Sequence, residues 1–292
     1  MQLEVKGLNK KFRGNVALED VSFSVEAGEV FGLLGPNGAG KTTMIRIILD
    51  ILRQDSGTVS VMGRKLSEEV KDSIGYLPEE GSLYRDSTVM ESLVYFSSLK
   101  GTEIERERVN GFLSRFGLLE HKDKKISELS KGMQRKLLFI ISVIHEPDVL
   151  ILDEPFSGLD PINRRLMKDV IMELNEKGMT IIMSTHQMGE VERMCDRILM
   201  INRGRNVLYG DLDNIKKKYG YSVFVDYIGR FPRKIPGIMK IDDYGSHAEI
   251  VMKKGSSTQS LLRRLVGKVE IRKFEVRTRS LDDIFIEVAE NG

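Results

Sequence analysis

With 292 residues the chain can bury a full core, with room for one large domain and a small second one. Its 45 Lys and Arg stand against 43 Asp and Glu, and the resulting net charge of +2 supplies no general attraction for nucleic acid. The single Cys195 excludes an internal disulfide and reads as a small buried hydrophobe in a reducing compartment, while no window approaches the ~20 apolar residues needed to span a bilayer.

Met1–Lys6 lacks the basic start and apolar run of a secretory signal, so the expectation is a soluble chain whose membrane role, if it has one, acts through a partner. Val21-Ser22-Phe23-Ser24-Val25 alternates with period two, as a half-buried antiparallel strand does. Val30–Leu34 is a continuous apolar run, and Met44–Leu49 carries a helical apolar face. Between them stands Gly35-Pro36-Asn37-Gly38-Ala39-Gly40-Lys41-Thr42-Thr43, which fits G-x-x-x-x-G-K-[ST]. Strand, Gly-rich loop and helix are the context that makes this pattern a phosphate site. Loop N–H groups and the helix N-terminus offer partial positive charge to phosphate oxygens, Lys41 reaches the β- and γ-phosphates, and the Thr42 hydroxyl ligates Mg²⁺.

Thr58–Val61 and Ser73–Tyr76 read as short strands. Glu91–Leu99 and Arg106–Phe116 read as helices of an insertion, separated by Gly101. Val149–Leu152 and Thr180–Ser184, the latter around Ile181–Met183, read as continuous apolar runs, the pattern of parallel strands covered on both faces. The helix between them has apolar Leu166, Met167, Val170, Ile171 and Leu174, an Asp160-Pro161 start and Gly178 at its end. The first of these strands runs into Asp153 and Glu154. Carboxylates at the tip of a buried strand suit a Mg²⁺–nucleotide site, with Asp153 on the metal, directly or through water, and Glu154 polarising the attacking water. His186 follows the second strand, where an imidazole can hydrogen-bond a γ-phosphate and orient water; a lone His is otherwise usually structural.

After Asp211 the character changes. Asp211 can cap a short helix ending in the basic run Lys216–Lys218, more often a solvated face than a ligand site. Strands follow near Tyr221–Val225 and Ala248–Met252, then a helix near Ser257–Val266, a strand near Val269–Val276 and a helix from Leu281. No nucleophile–base pair, metal cluster or phosphate loop is legible there.

Taken in order, these motifs resemble the ATP-binding subunit of an ABC transporter over roughly residues 1–215. Leu129-Ser130-Lys131-Gly132-Met133 resembles the LSGGQ signature, Ser157-Gly158-Leu159-Asp160 the D-loop, and Phe12 the aromatic position that stacks on adenine. Ser130 would also cap the helix starting near Lys131, leaving an anion site at its N-terminus. The resemblance implies an α/β fold: a P-loop NTPase core of the ABC ATPase type, with a mixed parallel sheet, an antiparallel β subdomain and a helical subdomain at about 85–147, filling 1–215, then a small α+β accessory domain at 216–292. It implies Mg²⁺-dependent ATP hydrolysis and a head-to-tail homodimer, or heterodimer with a similar ATPase, in which Ser130, Lys131, Gly132, Met133 and Asp160 serve the ATP of the opposite subunit. It further implies a separate transmembrane permease and a peripheral place on the cytoplasmic face of the membrane, with no nucleic-acid partner.

Gly75–Gly81 and Ser130–Gln134 resemble the branch of sodium-extrusion and drug-resistance exporters, and Leu281-Asp282-Asp283-Ile284-Phe285 a closing motif of that branch's C-terminal extension. Three departures stand out: Glu79 occupies the usual Gln of the Q-loop and can still ligate Mg²⁺, Lys131 replaces a signature Gly, and Met133 replaces the signature Gln. Lys131 either adds charge near the opposing γ-phosphate or faces solvent. A soluble ABC ATPase acting on ribosomes or DNA is the alternative, although such chains carry two cassettes or a long coiled coil between the segments of Lys41 and Asp153. A non-hydrolysing regulator fits poorly with Lys41, Glu154 and His186 all present.

Overall fold

The computed structural model describes residues 1–101, 105–232, 234–253 and 255–291. It comprises two units, Met1–Tyr209 and Gly210–Gly292. Through residue 211 the chain carries, in order, β1 (Leu3–Phe12), β2 (Asn15–Val25), β3 (Val30–Leu34), α1 (Lys41–Ile48), β4 (Ser56–Val61), α2 (Glu68–Asp72), β5 (Ile74–Leu77), α3 (Val89–Ser98), α4 (Arg106–Arg115), α5 (Lys131–Val143), β6 (Val149–Asp153), α6 (Pro161–Glu176), β7 (Thr180–Thr185), α7 (Met188–Met194), β8 (Arg197–Asn202) and β9 (Arg205–Asp211).

Two sheets form from these strands. β2, β1 and β4 make an antiparallel sheet in that order. The second has the order β5-β6-β7-β3-β8-β9, and β5, β6, β7, β3 and β8 run parallel. Every residue of β3, β6 and β7 is buried, including the polar Asp153 that ends β6 and Thr180, Ser184 and Thr185 of β7, as parallel strands covered on both faces require. One core joins Leu3, Val5, Phe23 and Val25 of the antiparallel sheet to Met44 and Ile45 of α1 and to Phe31, Ile151 and Ile182 of the parallel sheet. Phe23 stacks on Phe31 across it at 5.4 Å.

β1 is absent from the expected elements, and its backbone explains why. Leu3, Val5 and Leu8 are buried, but the pairing with β2 shifts register between Val5 and Leu8, where Gly7 takes a φ of 56°. The bulge breaks the period-two pattern that a sequence reading depends on. The structure also adds α2, α7, β8 and β9. α3 starts at Val89 rather than Glu91, because Thr88 and Glu91 form a reciprocal capping box. α6 starts where Asp160 caps it and is longer than its apolar stripe.

The second unit carries α8 (Leu212–Tyr219), β10 (Tyr221–Ile228), β11 (Ile238–Asp243), β12 (His247–Met252), α9 (Thr258–Leu265), β13 (Glu270–Thr278) and α10 (Leu281–Asn291). Its strands form an antiparallel sheet of order β11-β12-β10-β13. Its own core joins Val223, Val225 and Ile250 of the sheet to Leu261 and Leu265 of α9. Asp211 caps α8, and Lys216–Lys218 occupy its last turn, where cations complement the helix dipole.

Candidate functional site

The parallel sheet brings the C-terminal ends of β5, β6, β7 and β3 side by side, and the segments that follow them meet there. After β3 the loop turns sharply into α1. Gly35 has φ 150°, and a Cβ on it would lie 2.3 Å from the Ile201 carbonyl oxygen. Gly40 has φ 111°, and a Cβ there would lie 2.6 Å from the Ala17 carbonyl oxygen of β2. Only glycine fits at either place. Gly40 also precedes α1 without any side-chain cap, and the first turn holds no acid. The positive end of α1 is therefore left for an external anion.

A cleft of about 210 Å³ lies over this loop, lined by Ala17, Pro36 to Thr43, Glu79 and Glu154. Lys41 is 6% exposed. Its ammonium donates to the carbonyls of Gly35 at 2.7 Å and Pro36 at 3.3 Å, and lies 3.9 Å from Glu154 Oε1. Burial pulls the Lys41 pKa below its usual value, and the charges of Glu154, Asp153 and Glu79 oppose that shift.

At the tip of β6, Asp153 and Glu154 are both buried. The Ser184 hydroxyl of β7 donates to Asp153 Oδ1, while Asp153 Oδ2 is buried without a hydrogen-bond partner. Glu154 holds a left-handed backbone, φ 47°, which is uncommon outside glycine and turns its carboxylate into the cleft. Thr185 Oγ1 lies 3.3 Å from Glu154 Oε2, and His186 Nδ1 lies 2.9 Å from Glu154 Oε1. The His186 side chain is 51% exposed, so Glu154 is held from within while the imidazole faces outward.

The structure thus gathers Lys41, Thr42, Glu79, Asp153, Glu154 and His186 at one sheet edge. Phe12 does not line the cleft: it ends β1, 43% exposed, with the Lys10 ammonium 5.3 Å from its ring centre. The signature and D-loop residues form a separate cluster. Ser130 caps α5 by accepting the Met133 N–H at 3.2 Å, and a Cβ on Gly132 would stand 4.0 Å from the Gly158 carbonyl. Asp160 accepts the N–H groups of Ile162 and Asn163 at 3.0 and 2.9 Å. The Lys136 ammonium reaches Asn163 Oδ1 at 3.3 Å, tying the start of α5 to the start of α6. Lys131 is exposed.

Sequence reasoning missed Ser184, Thr185 and Arg135. Ser184 and Thr185 had a signal in retrospect, two hydroxyls at the end of an apolar strand beside the expected acids. Asp153 Oδ2 is a buried oxygen without a hydrogen-bond partner, a place that a hard cation or its bound water would fill. Among the described residues no group of three His, Cys, Asp or Glu side chains is placed to hold a metal. A cation held by Thr42 and Asp153 would therefore share its coordination with phosphate oxygens, the usual state of protein-bound Mg²⁺.

Residues 18–157 match the family model described as ABC transporter, and residues 210–289 match the ATP-binding protein DrrA1-3-like C-terminal domain. An uncharacterised ABC transporter ATP-binding protein of Methanocaldococcus jannaschii is 41% identical over 98% of each chain. A Nod factor export ATP-binding protein I of Burkholderia lata is 34% identical over 98% of this chain and 96% of its own. A solved ATP-binding subunit of an ABC transporter superposes with a TM-score of 0.71 at 34% identity, covering 75% of this chain and 94% of that one.

Proposed function

The chain belongs to the ABC transporter ATP-binding subunits, which hydrolyse ATP, and on that premise we propose that it powers export through a separate membrane permease docked beside the ATP cleft. The observation that carries this reading is an apolar groove of about 510 Å³ lined in part by Tyr76, Pro78, Gly81, Phe96, Leu138 and Ile141. It shares the segment after β5 with the cleft that Glu79 lines, so whatever fills it touches Pro78 and Glu80, the immediate neighbours of Glu79. No helix among the described residues is long and apolar enough to cross a membrane, and in this reading a partner supplies the spanning part. Export as the direction rests on the relative named for Nod factor export and on the match of residues 210–289.

In this reading the ATPase domain is the unit Met1–Tyr209, with its helical subdomain at about 85–147, and the accessory domain is the unit Gly210–Gly292, because the expected boundary at 215/216 would cut α8. The loop from Gly35 to Thr43 binds the phosphates, and Lys41 leaves its carbonyl partners for the β- and γ-phosphates. Thr42 and Asp153 would hold Mg²⁺, with Glu79 at its side; the ion, when bound, neutralises phosphate charge. Glu154 accepts the proton of the attacking water, and His186 fixes the Glu154 carboxylate and hydrogen-bonds the γ-phosphate. Ser130, Lys131, Gly132, Met133 and Asp160 do not line this cleft; we assign them to the ATP of an opposing subunit, which makes the working unit a head-to-tail dimer on the cytoplasmic face of the membrane.

Tagged purification from native membranes, with mass spectrometry, tests the proposal. A stoichiometric multi-span membrane protein is expected. Ribosomal proteins or DNA-repair factors without a membrane partner would overturn it in favour of a soluble ATPase. Phe96→Asp should lower recovery of that partner more than tenfold, the scale of about 1.4 kcal/mol for one interface anchor, and leave the isolated chain's hydrolysis unchanged. Undiminished recovery would move the docking surface elsewhere.

Glu79 yields a separate expectation. It adds a negative charge beside the phosphates, so metal-free ATP should bind Glu79→Gln about fivefold more tightly, a charge–charge effect on the order of 1 kcal/mol, while Mg-ATP changes less. Equal shifts in titrations with and without Mg²⁺ would remove Glu79 from the metal side of the site.

A further inference from the structure

Arg135 lies in the second turn of α5, the helix that Ser130 caps, and is 7% exposed. Its guanidinium spreads over backbone carbonyls from two strand tips. Nη1 donates to the carbonyls of Pro78 and Glu79, the latter at 2.9 Å. Nη2 donates to those of Asp153 at 2.9 Å and Glu154 at 2.7 Å, and Nε to that of Pro155 at 3.4 Å. All five acceptors are neutral. Burial pulls the Arg135 pKa down, against the opposing pull of Asp153, Glu79 and Glu154, and a guanidinium keeps its proton even so.

We propose that Arg135 is a positioning residue for hydrolysis. It fixes the segment of Glu79 and the segment of Glu154 to each other and to α5, so a displacement of that helix by nucleotide at the Ser130 end reaches both carboxylates together. Several features make it suited to this. A planar fork with five donors spans acceptors that a point-like ammonium cannot. The five carbonyls it takes up include those of Glu79 and Glu154, whose side chains line the cleft, so it sets where those side chains stand without touching substrate. The left-handed backbone of Glu154 leaves its carbonyl turned toward α5 while its side chain enters the cleft. A second tie runs in parallel: a Cβ on Gly75 of β5 would lie 2.1 Å from the Ser142 carbonyl of α5, so strand and helix already touch.

This inference rests on Glu154 as the residue that activates water. Arg135→Lys, Arg135→Gln and Glu154→Gln, made in the full chain, test both. Single-turnover hydrolysis, the dissociation constant for Mg-ATP and the melting temperature are measured for each. The expected result is a Mg-ATP affinity within about threefold of wild type and a hydrolysis constant lower by about 10²-fold in both Arg135 variants, the scale of a 1 Å misplacement at a reacting centre. Hydrolysis within about threefold of wild type in Arg135→Lys, or a loss of rate matched by the loss of nucleotide affinity, overturns the assignment. Failure of Arg135→Lys to fold overturns it too, since Arg135 would then serve the fold alone. If Glu154→Gln keeps its activity, the reading of the site fails; if it is inactive while the Arg135 variants turn over normally, only the positioning role does.

Discussion

Glu154→Gln is expected to slow ATP hydrolysis by about 10³-fold and to make the protein accumulate as an ATP-bound dimer. The carboxylate is 8% exposed and held at both oxygens, by Thr185 at 3.3 Å and His186 at 2.9 Å. An amide keeps the volume and one acceptor but cannot take a proton from water. The phosphate-binding half of the cleft, from Pro36 to Thr43, is untouched, so ATP still binds. A dimer that closes on ATP and opens on hydrolysis is then left closed, because a ligand with higher affinity for the closed state holds it there. Light scattering with Mg-ATP should show the dimer, and a phosphate-release assay the loss of turnover. A protein that stays monomeric with saturating Mg-ATP would contradict the dimer, and one that still turns over would remove Glu154 from the role of base.

Gly75→Ala places a methyl in the shortest contact of any glycine among the described residues, so a large loss of stability is expected. The added methyl would lie 2.1 Å from the Ser142 carbonyl oxygen, 2.8 Å from Pro147 Cγ and 3.0 Å from Leu150 Cδ1. The first of these is backbone within α5, so β5 and α5 must part. Overpacking of this kind costs about 3 kcal/mol, a fall of roughly 6–12 °C in melting temperature for a domain of this size. The same separation pulls Arg135 away from Pro78 and Glu79, so hydrolysis should fall further than stability alone explains. A melting temperature within about 2 °C of wild type would mean that strand and helix yield more easily than close packing allows.

Much of this site was legible in residue order. The loop from Gly35 to Thr43, the acids ending an apolar strand and the His after the next strand are all local patterns, because backbone N–H groups and strand tips are positioned by a few neighbouring residues. Ser130 and Asp160 were legible as caps for the same reason, and the structure gives both that bond. The core of the parallel sheet was equally plain: β3 is apolar throughout, β6 at four of its five positions and β7 at its centre, Ile181–Met183, the pattern of strands covered on both faces.

Arg135 was not legible. In Gln134-Arg135-Lys136 it reads as part of a polar helix face. Its burial depends on carbonyls contributed 57 residues before it and 18 residues after it, and nothing local in either segment announces an unpaired acceptor. β1 escaped because one bulge at Gly7 shifts the side-chain alternation by a residue. The phosphate loop, the strand-tip acids, the His and the two caps can be read from residue order, since each depends on neighbours along the chain. That Glu79, Lys41 and Glu154 share a cleft, that Phe12 stands outside its lining, and that one buried guanidinium joins two strand tips to α5 emerges only from the assembled fold. Those relations are set by strand order and helix packing, where residues far apart in sequence satisfy each other's hydrogen bonds.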